Sequence, residues 1–405
     1  METFHTIIIG GGPAGLFSAI SIGRNDTLVL EKNTQPGRKL LIAGSGRCNI
    51  THDGDITNFF HRYGDHGSFV KRALKEFTNL NLINFFALRG LNTITDKNGK
   101  VFPQTEKAED VLNSLLRECQ KVGVTINTSC SVTSVERNDG FFLLKTSLKT
   151  FSCENLVIAT GGNSYPTTGS SGDGYTLSKM LGHAIVPIKP ALTPIFVKNY
   201  RMEELSGVSL ADIPLYLFRN GKKIHEHRGD IGFTHKGISG PGIIDFSRYF
   251  EAGDVLMVNL IDCNEDKFRK LFIDTAVQDG SRTIQSLLRN YELPKSLMRI
   301  VLDEVGVDPA ECLSNINAKR RGNLVSLFCC YPFEIERVGG FKIAMTTAGG
   351  VSLNEVSSKT MESKLVSRLY FAGEVLDIDG DSGGYNIQAA FSTAHLVGKA
   401  IRTLE

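Results

Sequence analysis

The sequence has no tryptophan, no C-x-x-C pair, no apolar run long enough to span a membrane and almost no net charge. The missing tryptophan excludes nothing by itself; the other absences do more. Eight cysteines (Cys48, Cys119, Cys130, Cys153, Cys263, Cys312, Cys329 and Cys330) are scattered, without the spacing of a zinc knuckle, a redox C-x-x-C turn or a disulfide framework. No metal site is expected, and Cys119, Cys130 and Cys153 fall in apolar patterns that read as core. With 45 Lys and Arg against 43 Asp and Glu, the formal charge of +2 gives no global pull toward nucleic acid or membrane. The apolar start has no basic region and is broken by three glycines, so it does not read as a signal peptide. A reduced, cytoplasmic protein is expected.

The 405 residues are too many for one ordinary core. "FHTIII" (4–9) is a short apolar run ended by glycine, which suits a buried parallel strand. A helix over 13–24 and a strand "TLVLE" (27–31) complete a βαβ unit. Helices are predicted at about 68–89 and 108–121, short strands over 123–158 around the hairpin signal "NDG" (138–140), and a buried strand in "NLVIATGG" (155–162). Residues 192–261 read as β-rich and 265–330 as helical. Lys319, Arg320 and Arg321 read as a solvated helix end. Short strands resume at 340–353 and 368–374, before a closing helix at about 385–403.

Gly10, Gly12 and Gly15 satisfy G-x-G-x-x-G between the first strand and its helix. The first makes the tight turn, the second lets backbone approach a pyrophosphate, and the third lets helix and strand pack closely. Free N–H groups and the helix dipole then favour phosphate. Glu31 ends the second strand, where a carboxylate accepts from ribose hydroxyls. A tight turn without a ligand leaves Glu31 unexplained.

A second glycine-opened helix, "GGYNIQAAFSTAHLVGKAI" (383–401), sits almost a chain length away, with Ile387, Ala390, Phe391, Ala394 and Val397 as its buried stripe. A nicotinamide cofactor needs one such site. FAD is gripped at both ends, and a positive helix end near the flavin favours its anionic reduced form. No second strand–G-x-G-x-x-G–helix unit is found: "TGSSGDG" (168–174) lacks a following ribose acid. NADPH or NADH, where it serves, is expected to dock transiently.

Several stretches resemble a bacterial and archaeal FAD family related in fold to fumarate reductase and glutathione reductase. Its members are described as aminoacetone-oxidase-family FAD-binding enzymes or dehydro-bile-acid reductases. The likeness rests on "GGGPAGL" (10–16), "GRKLLIAGSGRCNIT" (37–51), "VFPQTEKAEDV" (101–111), "LVIATGGNSYPTTGSSGDGY" (156–175), "GFTHKGISGP" (232–241), "AMTTAGGV" (344–351) and "SKTMESKLVSRLYFAGEVLDIDGDSGGYNIQ" (358–388). It is weakest near 265–320. It implies an α/β fold: a split Rossmann-type FAD-binding domain (1–190 and 341–405), a β-rich substrate domain (191–264 and 322–340) and a small helical insert (265–321).

The resemblance further implies that Gly10, Gly12, Pro13, Ala14 and Gly15 hold the pyrophosphate and Glu31 the adenosine ribose, with Lys32 among the cofactor-binding residues. Arg38, Lys39, Gly46, Arg47, Cys48 and Asn49 would form the loop beside the flavin. Thr160, Gly161 and Gly162 would line the cofactor. Gly373, Glu374, Gly384, Tyr385, Asn386, Ile387 and Gln388 would close on the ribityl chain and ring. One departure is visible: many members carry a fuller glycine triplet before "RCN", where this chain has Gly44, Ser45, Gly46.

An FAD-dependent oxidoreductase acting on a small molecule is therefore expected. Two chemistries stand: NAD(P)H-driven hydride transfer to an activated C=C, or oxidation of a small amine with oxygen as acceptor. An RNA-associated flavoprotein is a third class, against which the near-neutral charge weighs. Candidate catalytic groups are His235 as acid or base, Cys48 as a redox or substrate-contacting thiol against a packed one, and Tyr385 as a donor to a carbonyl against a helix cap. Asp377, Asp379 and Asp381 read as hydrated turn carboxylates rather than metal ligands.

Overall fold

The computed structural model describes residues 2–403. The chain divides into two compact units, one from residues 1–191 and 341–405, the other from residues 192–340.

The first unit is built on a seven-stranded sheet. Its parallel part runs in the order Thr125–Asn127, Thr27–Leu30, Glu2–Ile9, Thr150–Ile158, with Leu369–Phe371 pairing the last of these. The first half of Thr150–Ile158 pairs antiparallel with Phe141–Thr146, which pairs with Val132–Asn138. These two strands meet at Asp139 and Gly140, both at positive φ, as a right-twisted hairpin turn demands. Ile7, Ile8, Leu28, Val29, Leu156 and Val157 are fully buried, which fits strands covered on both faces.

The helix Pro13–Ile22 follows the first strand and packs against the closing helix Tyr385–Arg402, whose Gly398 lies where a Cβ would come within 2.3 Å of Ser21. The expected helix at 68–89 is two, Gly67–Glu76 and Asn79–Ala87. Thr78 begins the second with a reciprocal cap: its hydroxyl accepts from the Asn81 N–H, while Asn81 accepts from the Thr78 N–H. A small antiparallel sheet joins Thr51–His52, Lys100–Pro103 and Thr93–Thr95, and a ribbon joins Ile185–Ala191 to Thr346–Val351.

The second unit is a closed six-stranded barrel: Ile195–Val197, Gly237–Ser239, Lys222–Phe233, Ser209–Arg219, Val255–Val258 and Tyr331–Val338, which returns to Ile195–Val197. The helices Glu265–Gln278, Ile284–Leu288, Lys295–Val305 and Ala318–Cys329 share its core. Phe268, Phe272, Val301, Leu324 and Phe328 pack in one cluster with Leu215, Leu217, Ile231 and Val258. The helical stretch is thus part of the barrel's own core, and the boundary expected at 321/322 falls inside Ala318–Cys329. The basic run occupies that helix's first turn, with Arg320 paired to Glu311 at 2.7–2.8 Å rather than left to solvent.

Candidate functional site

The first strand ends on Gly10, whose φ of +109° turns the chain; a Cβ there would lie 2.4 Å from the Ala159 carbonyl oxygen. Gly15 touches backbone more closely: its Cβ would lie 1.9 Å from the Gly10 carbonyl oxygen. Gly12 differs. It caps the helix that Pro13 begins, and no atom lies within 4 Å of where its Cβ would be. The space over Gly12, at the helix N-terminus, is open for a phosphate.

Glu31 closes this turn. One of its oxygens accepts from the Gly11 N–H at 2.8 Å, and the other from Asn33 through its N–H at 2.8 Å and its side-chain amide at 2.7 Å. Lys32 does not extend toward a ligand; it pairs with Asp173 and with Ser171 of the "TGSSGDG" segment. Asn33 donates to the Thr168 carbonyl, so that segment lies beside Glu31, a proximity that motif spacing does not encode.

The segments around 39, 164, 347 and 374 meet in one polar knot. Lys39 Nζ lies 2.6 Å from Glu374 Oε2 and 2.5 Å from Ser164 Oγ. The other Glu374 oxygen accepts from Ser164 at 2.9 Å and from the Thr347 N–H at 3.0 Å. Gly162 passes close by, where a Cβ would come 2.8 Å from Glu374. Gly373, before Glu374, lies where a Cβ would be 2.9 Å from Ala14 Cβ and 3.6 Å from Ala390 Cβ. The two glycine-opened helices therefore converge on one turn. Thr160 sits under Gly174, whose Cβ would come within 2.0 Å of its hydroxyl, and Gly161 follows it.

The closing helix begins at Gly384, whose φ of +100° and 2.5 Å approach to the Thr51 carbonyl oxygen suit glycine alone. Asn386 holds the preceding loop by accepting from the Gly380 N–H and donating to its carbonyl, each at 2.8 Å. Ile387 packs against the core. Gln388 is fully buried and engaged at both ends, accepting from Thr51 at 2.7 Å and donating to Phe77 and Ser392 at 3.0 Å. The Tyr385 ring stacks on His52 at 5.2 Å with the Arg62 guanidinium 5.7 Å away, so its place is that of a packing residue at the helix start.

In the 44–49 loop, Ser45 and Cys48 have positive φ beside Gly44 and Gly46, so serine occupies a conformation that glycine adopts freely. Gly46 accepts from the Ala108 N–H at 2.8 Å. Arg38 donates to Asn33 at 3.1 Å, and Arg47 pairs with Glu106 at 3.0 Å over the Phe102 ring. Cys48 is fully buried, and burial pushes its thiol up to about 12. That environment removes it from the candidate redox groups. Asn49 is 9% exposed, and its buried Oδ1 has no donor among the described residues. Asp377 and Asp379 are buried, 8% and 3% exposed, rather than lying out on an open turn. Asp377 accepts from the Gly349 N–H at 3.0 Å with His66 Nε2 3.7 Å away, and burial raises its carboxyl while His66 and Lys189 oppose. Among the described residues no group of three or more His, Cys, Asp or Glu is placed to hold a metal. His235 is exposed in the second unit, in a turn closed by Thr234, whose N–H and hydroxyl both donate to the Gly237 carbonyl at 2.9 Å.

These features define a Rossmann-type dinucleotide-binding fold in which segments from both ends of the chain meet. The chain belongs to the HI0933-like family, whose Rossmann-domain model matches residues 4–400. It is similar to the ribosomal RNA dihydrouridine synthase of Escherichia coli (33% identical over 399 residues, 97% of each chain) and to that of Haemophilus influenzae (34%, 96% of each). It is also similar to the 3-dehydro-bile acid delta(4,6)-reductase of Clostridium scindens (30% over 404 residues, 97% of this chain and 98% of the relative). A quinol-fumarate reductase solved with menaquinol molecules shares the fold, with a TM-score of 0.52 at 16% identity over 100% of this chain and 72% of the other. The protein is an FAD-dependent oxidoreductase, and the open space over Gly12 and the unpaired Asn49 oxygen fit that cofactor. Among the described residues no helix is long and apolar enough to cross a membrane.

Proposed function

We propose that this chain saturates a carbon–carbon double bond conjugated to a carbonyl, with NAD(P)H as electron source and a uracil base of RNA as acceptor. One observation carries the reaction class. Relatives with different substrates in their names share one chemistry: dihydrouridine is uridine with its ring double bond saturated, and a delta(4,6)-reductase saturates double bonds of a steroid enone. The RNA acceptor rests on the two relatives of 33% and 34% identity. It departs from the small molecule expected above, and with a net charge of +2 it asks for local rather than global attraction.

When bound, FAD supplies the hydride. The Gly10–Gly15 turn and its helix end would hold the pyrophosphate and Glu31 the adenosine ribose, while the Lys39–Glu374 knot fixes the turn where the two helices meet. Hydride addition at the carbon β to the carbonyl needs a proton at the α carbon. In the first unit, Asp377 is a carboxyl whose burial favours keeping a proton on an oxygen; in the second, His235 is an exposed imidazole.

The test is anaerobic titration of the yellow protein with NADPH or NADH, followed by incubation with unmodified ribosomal RNA and mass spectrometry of its nucleosides. Bleaching of the flavin and a gain of two hydrogens on uridine are expected. Bleaching with turnover of a steroid dienone and none of RNA would move the acceptor to a small molecule. No bleaching, with photoreduced flavin reoxidised rapidly by air, would return the amine-oxidase reading. Unchanged turnover in His235→Ala removes that imidazole from the mechanism.

A further inference from the structure

The proposed acceptor is a polyanion, while the chain as a whole carries +2, so attraction must come from charge gathered at one place on the surface. Residues 61–75, "HRYGDHGSFVKRALK", hold four Lys and Arg against one acid, Asp65, more net positive charge than the entire protein. In the first unit this stretch runs alongside the closing helix Tyr385–Arg402. At the helix start, the Arg62 carbonyl accepts from the Asp381 N–H at 2.8 Å, and its guanidinium lies 3.6 Å from the Asp381 carboxylate. The Tyr63 hydroxyl donates to the Tyr385 carbonyl at 2.9 Å. Further along, the Phe77 carbonyl accepts from Gln388 at 3.0 Å and from Ser392 at 2.7 Å. Glu76 reaches the last turn of the closing helix, pairing with Lys399 at 2.7 Å, and Arg402 stands exposed one turn on. Between these ends the helix Gly67–Glu76 buries Val70, Ala73 and Leu74 and exposes Lys71, Arg72 and Lys75 on its opposite face. Glu76 is shared by Arg72 and Lys399. Lys71, 5.4 Å from the Phe60 ring centroid, and Lys75 pair with no carboxylate among the described residues.

We infer that this stripe, from Arg62 past Lys71, Arg72 and Lys75 to Lys399 and Arg402, docks the backbone phosphates of the RNA; the inference rests on the RNA reading proposed above. A lysine without a carboxylate keeps its whole charge for a phosphate, and each phosphate neutralised releases condensed counterions. Gly384 and Lys399 bound about 22 Å of helix at roughly 1.5 Å per residue, which spans several successive phosphates at about 3.4 Å of axis each. The stripe starts at the loop that opens the closing helix, the end expected to close on the flavin. RNA laid along it therefore has one end beside that loop. The relatives named for ribosomal RNA favour RNA over an anionic membrane as the polyanion.

The experiment measures binding of the whole flavoprotein to an unmodified ribosomal RNA transcript by filter retention, between about 50 and 200 mM salt. The double variant Lys71→Gln/Lys75→Gln breaks no ion pair, so its flavin content and Tm should match wild type. Its RNA affinity should fall roughly tenfold at low salt. The slope of log K against log salt should flatten by about 1.4–1.8, at about 0.7–0.9 per phosphate. Lys71→Arg/Lys75→Arg keeps both charges and should bind like wild type. A glutamine variant with wild-type affinity and slope would overturn the docking surface and leave the RNA reading standing. Absence of RNA binding by the wild-type protein would overturn both. A glutamine variant that keeps RNA and loses only attachment to phosphatidylserine–phosphatidylcholine vesicles would give the stripe to a membrane and overturn the assignment.

Discussion

Gly12 and Gly15, three residues apart in one motif, should fail for opposite reasons when each is changed to alanine. At Gly15 the new Cβ would lie 1.9 Å from the Gly10 carbonyl oxygen, 1.5 Å short of the 3.4 Å where ordinary contact begins. The obstacle is backbone, so no rotamer relieves it, and the helix Pro13–Ile22 must move off the sheet. Overpacking of this kind costs about 1–3 kcal/mol, and the large overlap argues for the upper end. The gain in helix propensity from Gly to Ala returns about 1 kcal/mol, leaving roughly 2 kcal/mol. In a unit of this size that lowers Tm by roughly 4–8 °C. At Gly12 the backbone is ordinary for alanine (φ −79°, ψ −178°) and nothing lies within 4 Å. Cap preference costs under about 1 kcal/mol there, but the methyl fills the space assigned to the pyrophosphate. FAD affinity should fall at least tenfold, about 1.4 kcal/mol. The assay pairs thermal unfolding of the apoprotein by circular dichroism with the flavin-to-protein absorbance ratio after dialysis against FAD. Gly15→Ala should lose apoprotein stability; Gly12→Ala should keep it and lose flavin. A Gly12→Ala protein that binds FAD like wild type would refute the placement of the pyrophosphate.

Lys39→Met removes the cation between Glu374 and Ser164, both partners being partly exposed, and should cost about 1 kcal/mol with faster flavin release. Glu374→Gln in the same chain should recover part of that loss, and strict additivity in stopped-flow release would count against the knot. His183 is buried between Ser363, 2.8 Å from its Nε2, and Glu355, 3.2 Å from its Nδ1; burial lowers its pKa, and Glu355 opposes. The folded state thus disfavours the charged ring, so its contribution is complete above the unfolded value near 6.5 and is lost as pH falls through the lower folded value. Urea midpoints at pH 8 and pH 5 should differ less in His183→Leu than in wild type. Asp377→Asn should flatten the acid limb of the flavin-reduction pH profile while leaving FAD content intact; an unchanged profile removes Asp377 from proton handling.

Much of the cofactor end was legible because its signals are local. A short apolar run, a glycine turn, a helix and an acid about 20 residues on are all read within one window, and Glu31 lies beside the turn as that spacing implies. The functions of single side chains were less legible. Gln388 and Arg47 carry the right chemistry for a ligand, yet each is engaged by protein partners. Asp377 and Asp379 look like turn residues in sequence and are buried in the fold. Ser164, Thr347 and Asp173 bore no motif that marked them as partners of Glu374 or Lys32.

The sequence by itself determined the βαβ start, the apolar stripe of the closing helix and the presence of two glycine-opened helix ends. These depend on residues within a few turns of one another, where periodicity and backbone sterics decide the outcome. Only the tertiary structure decided that both glycine-opened helices meet Gly373, that six strands close into a barrel sharing its core with four helices, and that Cys48 is sealed from solvent. Such facts depend on strand register and on which surfaces are buried together across hundreds of residues, and no local pattern encodes either.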